Sequence, residues 1–252
     1  MLWCGRLCPG VKSVFLMQVI LRKPSALDDI LALALREPAV RIRPFLGPHG
    51  ERLWLKRSDG RSTFGNELRA LQILGRAGLP VPDILAEGPD HFVVSDVGPT
   101  LSHLLGNSGV PFTKRAAACR AAGTAIGRLH TAGFAHGRPA IRDICWDGGD
   151  AYFIDLERFS PERTSLRRRA LDLLIFTQSC IAQMGSKGPF LDLAIEAYRA
   201  QAPADALRYV KRLAAWLHPL VPLTAPVRWF RPGAKDFSAL PQTLAYLRDL
   251  KD

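Results

Sequence analysis

The sequence predicts an α+β fold in two parts, a small strand-rich part followed by a larger helical one. Three observations predict it. Apolar and charged residues alternate in the first hundred residues, the period of half-buried strands. From residue 113 onward apolar residues recur at helical spacing in five segments, near 115–132, 166–184, 190–200, 204–217 and 237–250. One polar loop with a hairpin signal, residues 134–157, interrupts that helical run.

The elements follow in order. Ser25, Asp28 and Asp29 stand ahead of Ile30, Leu31, Leu33 and Leu35, a capped amphipathic helix that ends before Pro38. Val40, Ile42 and Phe45 alternate with Arg41 and Arg43, the turn residues Gly47, Pro48, His49 and Gly50 reverse the chain, and residues 52–56 alternate again: a hairpin. Phe64, Leu68, Leu71 and Leu74 are at helical spacing, with Gly78 just beyond the end. Two short strands, 84–87 and 91–96, flank a turn at Gly88 and Pro89, and Gly98, Pro99 and Thr100 start a short helix with Leu101, Leu104 and Leu105. Within the interrupting region, strands at 144–146 and 152–156 are joined by Asp147, Gly148, Gly149 and Asp150.

With 252 residues, 48% of them hydrophobic and 23% charged, the chain has the composition of a folded globular protein, which excludes disorder, collagen and coiled coil. No internal repeat is present. Lys and Arg number 34 against 23 Asp and Glu, a formal charge of +11 that attracts polyanions such as nucleotides, nucleic acid and anionic headgroups. The five cysteines (Cys4, Cys8, Cys119, Cys145, Cys180) are odd in number and show no metal-ligand spacing, so reduced thiols in a cytoplasmic compartment are expected. The apolar stretch from Val14 to Leu21 is broken by Gln18 and closed by Arg22 and Lys23, too short for a membrane span. Met17 is a candidate start.

Chemistry-bearing residues fall in a recognisable order. Lys56 closes the alternating strand, and Glu67 lies eleven residues on, in the next helix. Asp96 and Gly98 sit where the strand-rich part gives way to the helical part. Leu129, His130, Gly133, His136, Gly137, Arg138, Asp143, Asp155 and Glu157 then follow in one block. That block resembles the catalytic loop of kinase-like small-molecule phosphotransferases, the lipopolysaccharide-core (Kdo/heptose) kinases and the aminoglycoside phosphotransferases in particular. The resemblance covers residues 40–180.

The resemblance implies a two-lobed protein-kinase-like fold: an N-lobe at 25–97 after a poorly defined segment 1–24, and a C-lobe at 98–252 with the catalytic loop at 134–157. It implies ATP and Mg2+ as cofactors. Lys56 would hold the nucleotide phosphates, Glu67 would hold Lys56, and Asp96 and Gly98 would lie in the connection beside the adenine. Asp143, five residues after Arg138, stands where the family has its metal-binding Asn, Asp155 is the principal metal aspartate, and His136 is the loop histidine. A strand continuing through Asp155 would put it on one face with Phe153, partly buried and in need of magnesium or an arginine.

Two departures stand out. Arg138 occupies the position of the proton-accepting aspartate, and a guanidinium is no base at neutral pH. The turn before Lys56 is not a Gly-rich phosphate loop. Three explanations remain open: a pseudokinase with Arg138 paired to an acid, an enzyme in which Asp143 or Asp155 takes over the base role, or a site in which Arg138 neutralises the γ-phosphate.

Arg158, Arg163, Arg167, Arg168 and Arg169 form a basic run, either a solvated helix terminus or a contact with an anionic substrate. Arg168 to Leu173 resembles the helix that follows the metal aspartate in the lipopolysaccharide-core kinases, a resemblance that implies Asp172 as an anchor for the catalytic loop. Lys211, Arg212, Arg228, Arg231 and Lys235 among Trp216, Trp229 and Phe230 suit two readings equally, peripheral contact with an anionic membrane surface or a core with a charged rim. The function expected is γ-phosphoryl transfer from ATP to a sugar hydroxyl of lipopolysaccharide core or a similar small acceptor, an anionic sugar or glycolipid, in the cytoplasm or at the inner face of the membrane. The alternative is an inactive pseudokinase or scaffold holding an anionic partner. No helix-turn-helix, RNA-binding or zinc pattern supports specific nucleic-acid binding.

Overall fold

Alternating sequence becomes a four-stranded antiparallel sheet. Its strands are β1 (Ile42–Leu46), β2 (Arg52–Arg57), β3 (Ile84–Glu87) and β4 (His91–Ser95), in the order β1-β2-β4-β3. The computed structural model describes residues 27, 31, 32, 35, 42–58, 60, 62–162, 165–225 and 235–250. The segment 1–24 with Cys4, Cys8 and Met17, the basic Arg163, and Arg228, Trp229, Phe230 and Arg231 lie outside the described residues.

The chain divides into two compact units, Met1–Phe64 with Asp83–Asp96, and Gly65–Pro82 with Val97–Asp252. In the first, register pairs Leu55 with Val93 and Lys56 with Phe92. Period-two alternation therefore sends Leu53 and Leu55 to one face, where they form a core with Val93 and Leu31, packed by Leu27, Leu35, Phe45 and Ala86. Lys56 shares the opposite face with Phe92, whose ring lies 5.2 Å from that of Phe64. The β1–β2 turn closes by the Gly50 N–H donating to the Gly47 carbonyl at 3.0 Å, with Gly50 at φ 81°.

The second unit is mostly helical: α1 (Ser62–Arg76, in this unit from Gly65), α2 (Leu101–Gly106), α3 (Phe112–Thr131), α4 (Leu166–Met184), α5 (Pro189–Gln201), α6 (Ala204–Leu217) and α7 (Lys235–Arg248). Thr100 caps α2 by accepting from the His103 N–H at 3.2 Å. A tight 3-10 turn, His218–Thr224, follows α6. A two-stranded hairpin, β5 (Ile144–Trp146) with β6 (Ala151–Phe153), stands between α3 and α4.

Gly98 is at φ 84°, and a Cβ there would run into the Trp146 carbonyl of β5, so only glycine lets the chain pass so close to the hairpin. β6 is shorter than the sequence predicts. It ends at Phe153, the Ile154 N–H turns to the Asp143 carbonyl at 2.9 Å, and Asp155 adopts φ 57°. Asp155 therefore leaves the pleat, and its surroundings are not those of a strand face shared with Phe153. Among the described residues no helix is long and apolar enough to cross a membrane, and Cys119, Cys145 and Cys180 are buried and in no disulfide.

Candidate active site

The loop after α3 is held from beneath by Asp172 of α4. Its carboxylate accepts from the His136 N–H at 2.7 Å and the Gly137 N–H at 3.0 Å, and also meets His130 Nε2 at 3.3 Å. The other ring nitrogen of His130 is 3.0 Å from the Tyr198 hydroxyl of α5. Both His130 and Asp172 are about as buried as side chains become, at 1% exposure. A carboxylate that receives two backbone N–H groups is strongly bound and fixes the loop in one conformation.

Gly137 sits at φ 94° against the backbone carbonyl of Arg158, where a Cβ would come within 2.7 Å. The loop thereby lies directly on the segment that follows Asp155. His136 points into the interior beside the Phe153 ring, edge to face at 5.3 Å, and its Nδ1 accepts from the Arg138 N–H at 3.4 Å. Burial holds its pKa below the ordinary histidine value. The ring supports the loop backbone.

Arg138 then reaches across the loop. Its Nη2 donates to Asp155 Oδ2 at 2.7 Å and lies 3.6 Å from Asp143 Oδ2. Asp143 is nearly sealed from solvent, its Oδ2 has no hydrogen-bond donor, and its Oδ1 is 3.6 Å from Arg142 Nε. Burial first, and the neighbouring Asp155 charge second, push the Asp143 carboxyl up to about 7 against the opposing pull of Arg138. Asp155 pairs with a cation while its backbone occupies the left-handed region, which a non-glycine residue adopts at a cost of about 1–2 kcal/mol. Three residues separated by up to seventeen positions thus meet at one guanidinium.

The remaining predicted residues are placed as follows. Lys56 on β2 and Glu67 on α1 are each 3% exposed, so neither is a solvated surface charge; they belong to different units. Asp96, the last residue of the first unit, has its carboxylate 3.3 Å from Arg52 Nε. His130 and Arg142 have no role predicted from the sequence. The Leu-His pair at the end of α3 and the adjacency of Arg142 to Asp143 are the signals for them.

Asp143 and Asp155 present carboxylate oxygens, the donors a hard divalent cation takes. The orphaned Asp143 Oδ2 is the atom such an ion would satisfy. Among the described residues no group of three or more His, Cys, Asp or Glu gathers as a metal site, here or elsewhere. The cation beside this pair is Arg138, whose side chain is 26% exposed.

No family model matches the chain. An uncharacterized protein of Haemophilus influenzae is 30% identical over 176 residues, 65% of this chain and 72% of that protein. A probable bifunctional tRNA threonylcarbamoyladenosine biosynthesis protein of Haloquadratum walsbyi is 27% identical over 125 residues, half of this chain and 22% of that protein. The crystal structure of an aminoglycoside-3'-phosphotransferase of type VIII superposes with a TM-score of 0.50 at 14% identity, over 73% of this chain and 96% of that one. The fold is protein-kinase-like.

Proposed function

The chain belongs to the family of the uncharacterized Haemophilus influenzae protein, and we propose that it is a kinase-like phosphotransferase that uses ATP. The observation that carries this reading is the convergence of Asp143 and Asp155 at the end of a loop anchored by Asp172. Such an arrangement holds two carboxylates at a fixed spacing, and phosphoryl transfer depends chiefly on positioning and charge neutralisation.

In the reaction, the acceptor hydroxyl oxygen bonds to the γ-phosphorus, the bond from that phosphorus to the bridging β-phosphate oxygen breaks, ADP leaves, and the hydroxyl proton passes to solvent. In a loose transition state that proton leaves late, so a strong base at position 138 is dispensable. Asp143 and Asp155 would hold Mg2+, which when bound neutralises phosphate charge. Lys56, Glu67, Asp96 and Gly98 keep the nucleotide roles that the resemblance implies, and Arg138 adds positive charge beside the transferred group.

The acceptor we infer is a sugar hydroxyl of lipopolysaccharide core or a similar anionic glycolipid. The basic α6 residues Arg208, Lys211 and Arg212 and the exposed Trp216 and Leu223, at 70% and 75%, support peripheral contact with an anionic surface. A second reading, the catalytically silent pseudokinase, is favoured by the Arg138–Asp155 contact, which already supplies a cation to the metal aspartate.

Thermal unfolding with and without MgATP tests the nucleotide site. Ligand at about 100 times its dissociation constant stabilises by about 2.7 kcal/mol, a rise of about 5–10 °C at this size, lost in Lys56→Ala and Asp155→Ala. No rise in wild type overturns the reading. Turnover that appears only in Arg138→Asp establishes the pseudokinase instead.

A further inference from the structure

Two cavities of the second unit, about 980 and 350 Å³, share Arg158 as a wall residue. The larger also has Arg167 and Arg168 at the start of α4, together with Glu157 and Glu162. The smaller is lined by Arg138, Arg142 and Arg158 together with Gln178, Ser179 and Gln183, with no carboxylate among its lining residues. Three arginines and no acidic residue line a space the size of a small-molecule pocket, a composition that suits an anion.

The three arginines differ in commitment. Arg138 is engaged by Asp155 at 2.7 Å, Arg142 is held loosely by Asp143 at 3.6 Å, and the Arg158 side chain has no carboxylate partner among the described residues. An anion seated in this cavity would take Arg158 first and then compete with Asp155 for Arg138. Removing Arg138 from Asp155 leaves both aspartates without their shared cation, which raises their demand for a divalent ion. The two binding events are therefore coupled with positive sign, and the coupling is reciprocal.

Building on the phosphotransferase reading, we propose that the cavity walled by Arg138, Arg142 and Arg158 is the acceptor pocket and that its ligand carries a phosphate monoester. That phosphate draws Arg138 off Asp155, so that acceptor and divalent cation bind cooperatively. Arg138 is then the residue that keeps the metal aspartates masked until a phosphorylated acceptor arrives.

The experiment is isothermal titration calorimetry on the full chain, with inorganic phosphate as the first probe and MgCl2 as the second, at controlled free-ion concentrations. Phosphate is expected to bind wild type and to bind Arg158→Ala about tenfold or more weakly, the loss of a charged hydrogen bond, while circular dichroism melting stays unchanged. Mg2+ is expected to bind about fivefold or more tightly at saturating phosphate, and phosphate equally so at saturating Mg2+. In Arg138→Gln the coupling disappears and Mg2+ binds tightly without phosphate. A hexose phosphate that displaces inorganic phosphate supports a soluble acceptor, and phosphatidic acid vesicles that do so in an Arg158-dependent manner support a lipid-borne one.

Phosphate binding that survives Arg158→Ala, coupling that is absent or negative, or Arg158-dependent binding of an RNA hairpin without binding of phosphate would each overturn the proposal. The MgATP melting shift, measured on the same samples, reports separately on the nucleotide site. A chain that keeps that shift but binds no phosphate sinks this inference alone.

Discussion

Arg138 Nη2 lies 2.7 Å from Asp155 Oδ2, and Asp155 itself holds φ 57°. A permanent cation thus faces the aspartate we propose as a metal ligand, from the loop position where the resemblance puts a proton acceptor. The pairing has energetic consequences that can be measured without knowing the substrate.

Replacing Arg138 by Gln leaves Asp143 and Asp155 without their common cation. In chelator the variant is expected to lose about 1–3 kcal/mol of stability, discounted for the partly exposed arginine, and millimolar Mg2+ is expected to restore most of it. Urea unfolding in EDTA and in MgCl2 checks this. Equal stability in the two buffers would show that the aspartates do not hold the ion.

Asp172 is the anchor of the loop, 1% exposed and bonded to the His136 and Gly137 N–H groups. Asp172→Ala strands both donors in the interior and is expected to cost about 3–5 kcal/mol, with Asp172→Asn intermediate because one amide oxygen still accepts. A loss below 1 kcal/mol by urea unfolding would remove Asp172 from this role.

Gly137→Ala places a methyl group against the Arg158 carbonyl at a φ of 94°. Strain and steric contact together are expected to cost about 2–4 kcal/mol, a fall in melting temperature of about 5–15 °C. Differential scanning calorimetry reads it directly, and an unchanged melting temperature would mean that the loop and the segment after Asp155 are not in register as described.

His136 is held neutral by burial, with a folded pKa below its unfolded value near 6.5. A depressed base makes its contribution above the unfolded pKa, and that contribution is lost as pH falls from about 6.5 through the folded pKa, because the unfolded chain takes up the proton first. His136→Gln keeps an acceptor for the Arg138 N–H but cannot titrate. The stability gap between wild type and this variant is therefore expected to narrow from pH 7 to pH 5. A gap that widens on acidification would place a protonated His136 in the native loop.

Much of this was legible in the residues. The turn residues Gly47 and Gly50, the alternation around Leu53 and Leu55, and the helical spacing of Leu166 to Met184 specify elements through local periodicity, and the structure has each of them. The helical continuation at 112–131 and the hairpin at Asp147–Asp150 likewise follow from patterns a few residues long. The end of β6 did not follow, because it is set by the Ile154 N–H reaching the Asp143 carbonyl, a bond between residues eleven apart.

The sequence by itself determined the order of the charged residues, the anomalous Arg138 among them, and the alternation of strands and helices that carries them. Tertiary structure alone decided that Arg138 spends its charge on Asp155 and Asp143, that Asp172 ties down His136 and Gly137, and that Arg138, Arg142 and Arg158 wall one cavity. Periodicity is a property of neighbours along the chain, whereas the partner of a buried charge is whichever opposite charge the packing of α3, α4 and the hairpin brings within a few ångströms.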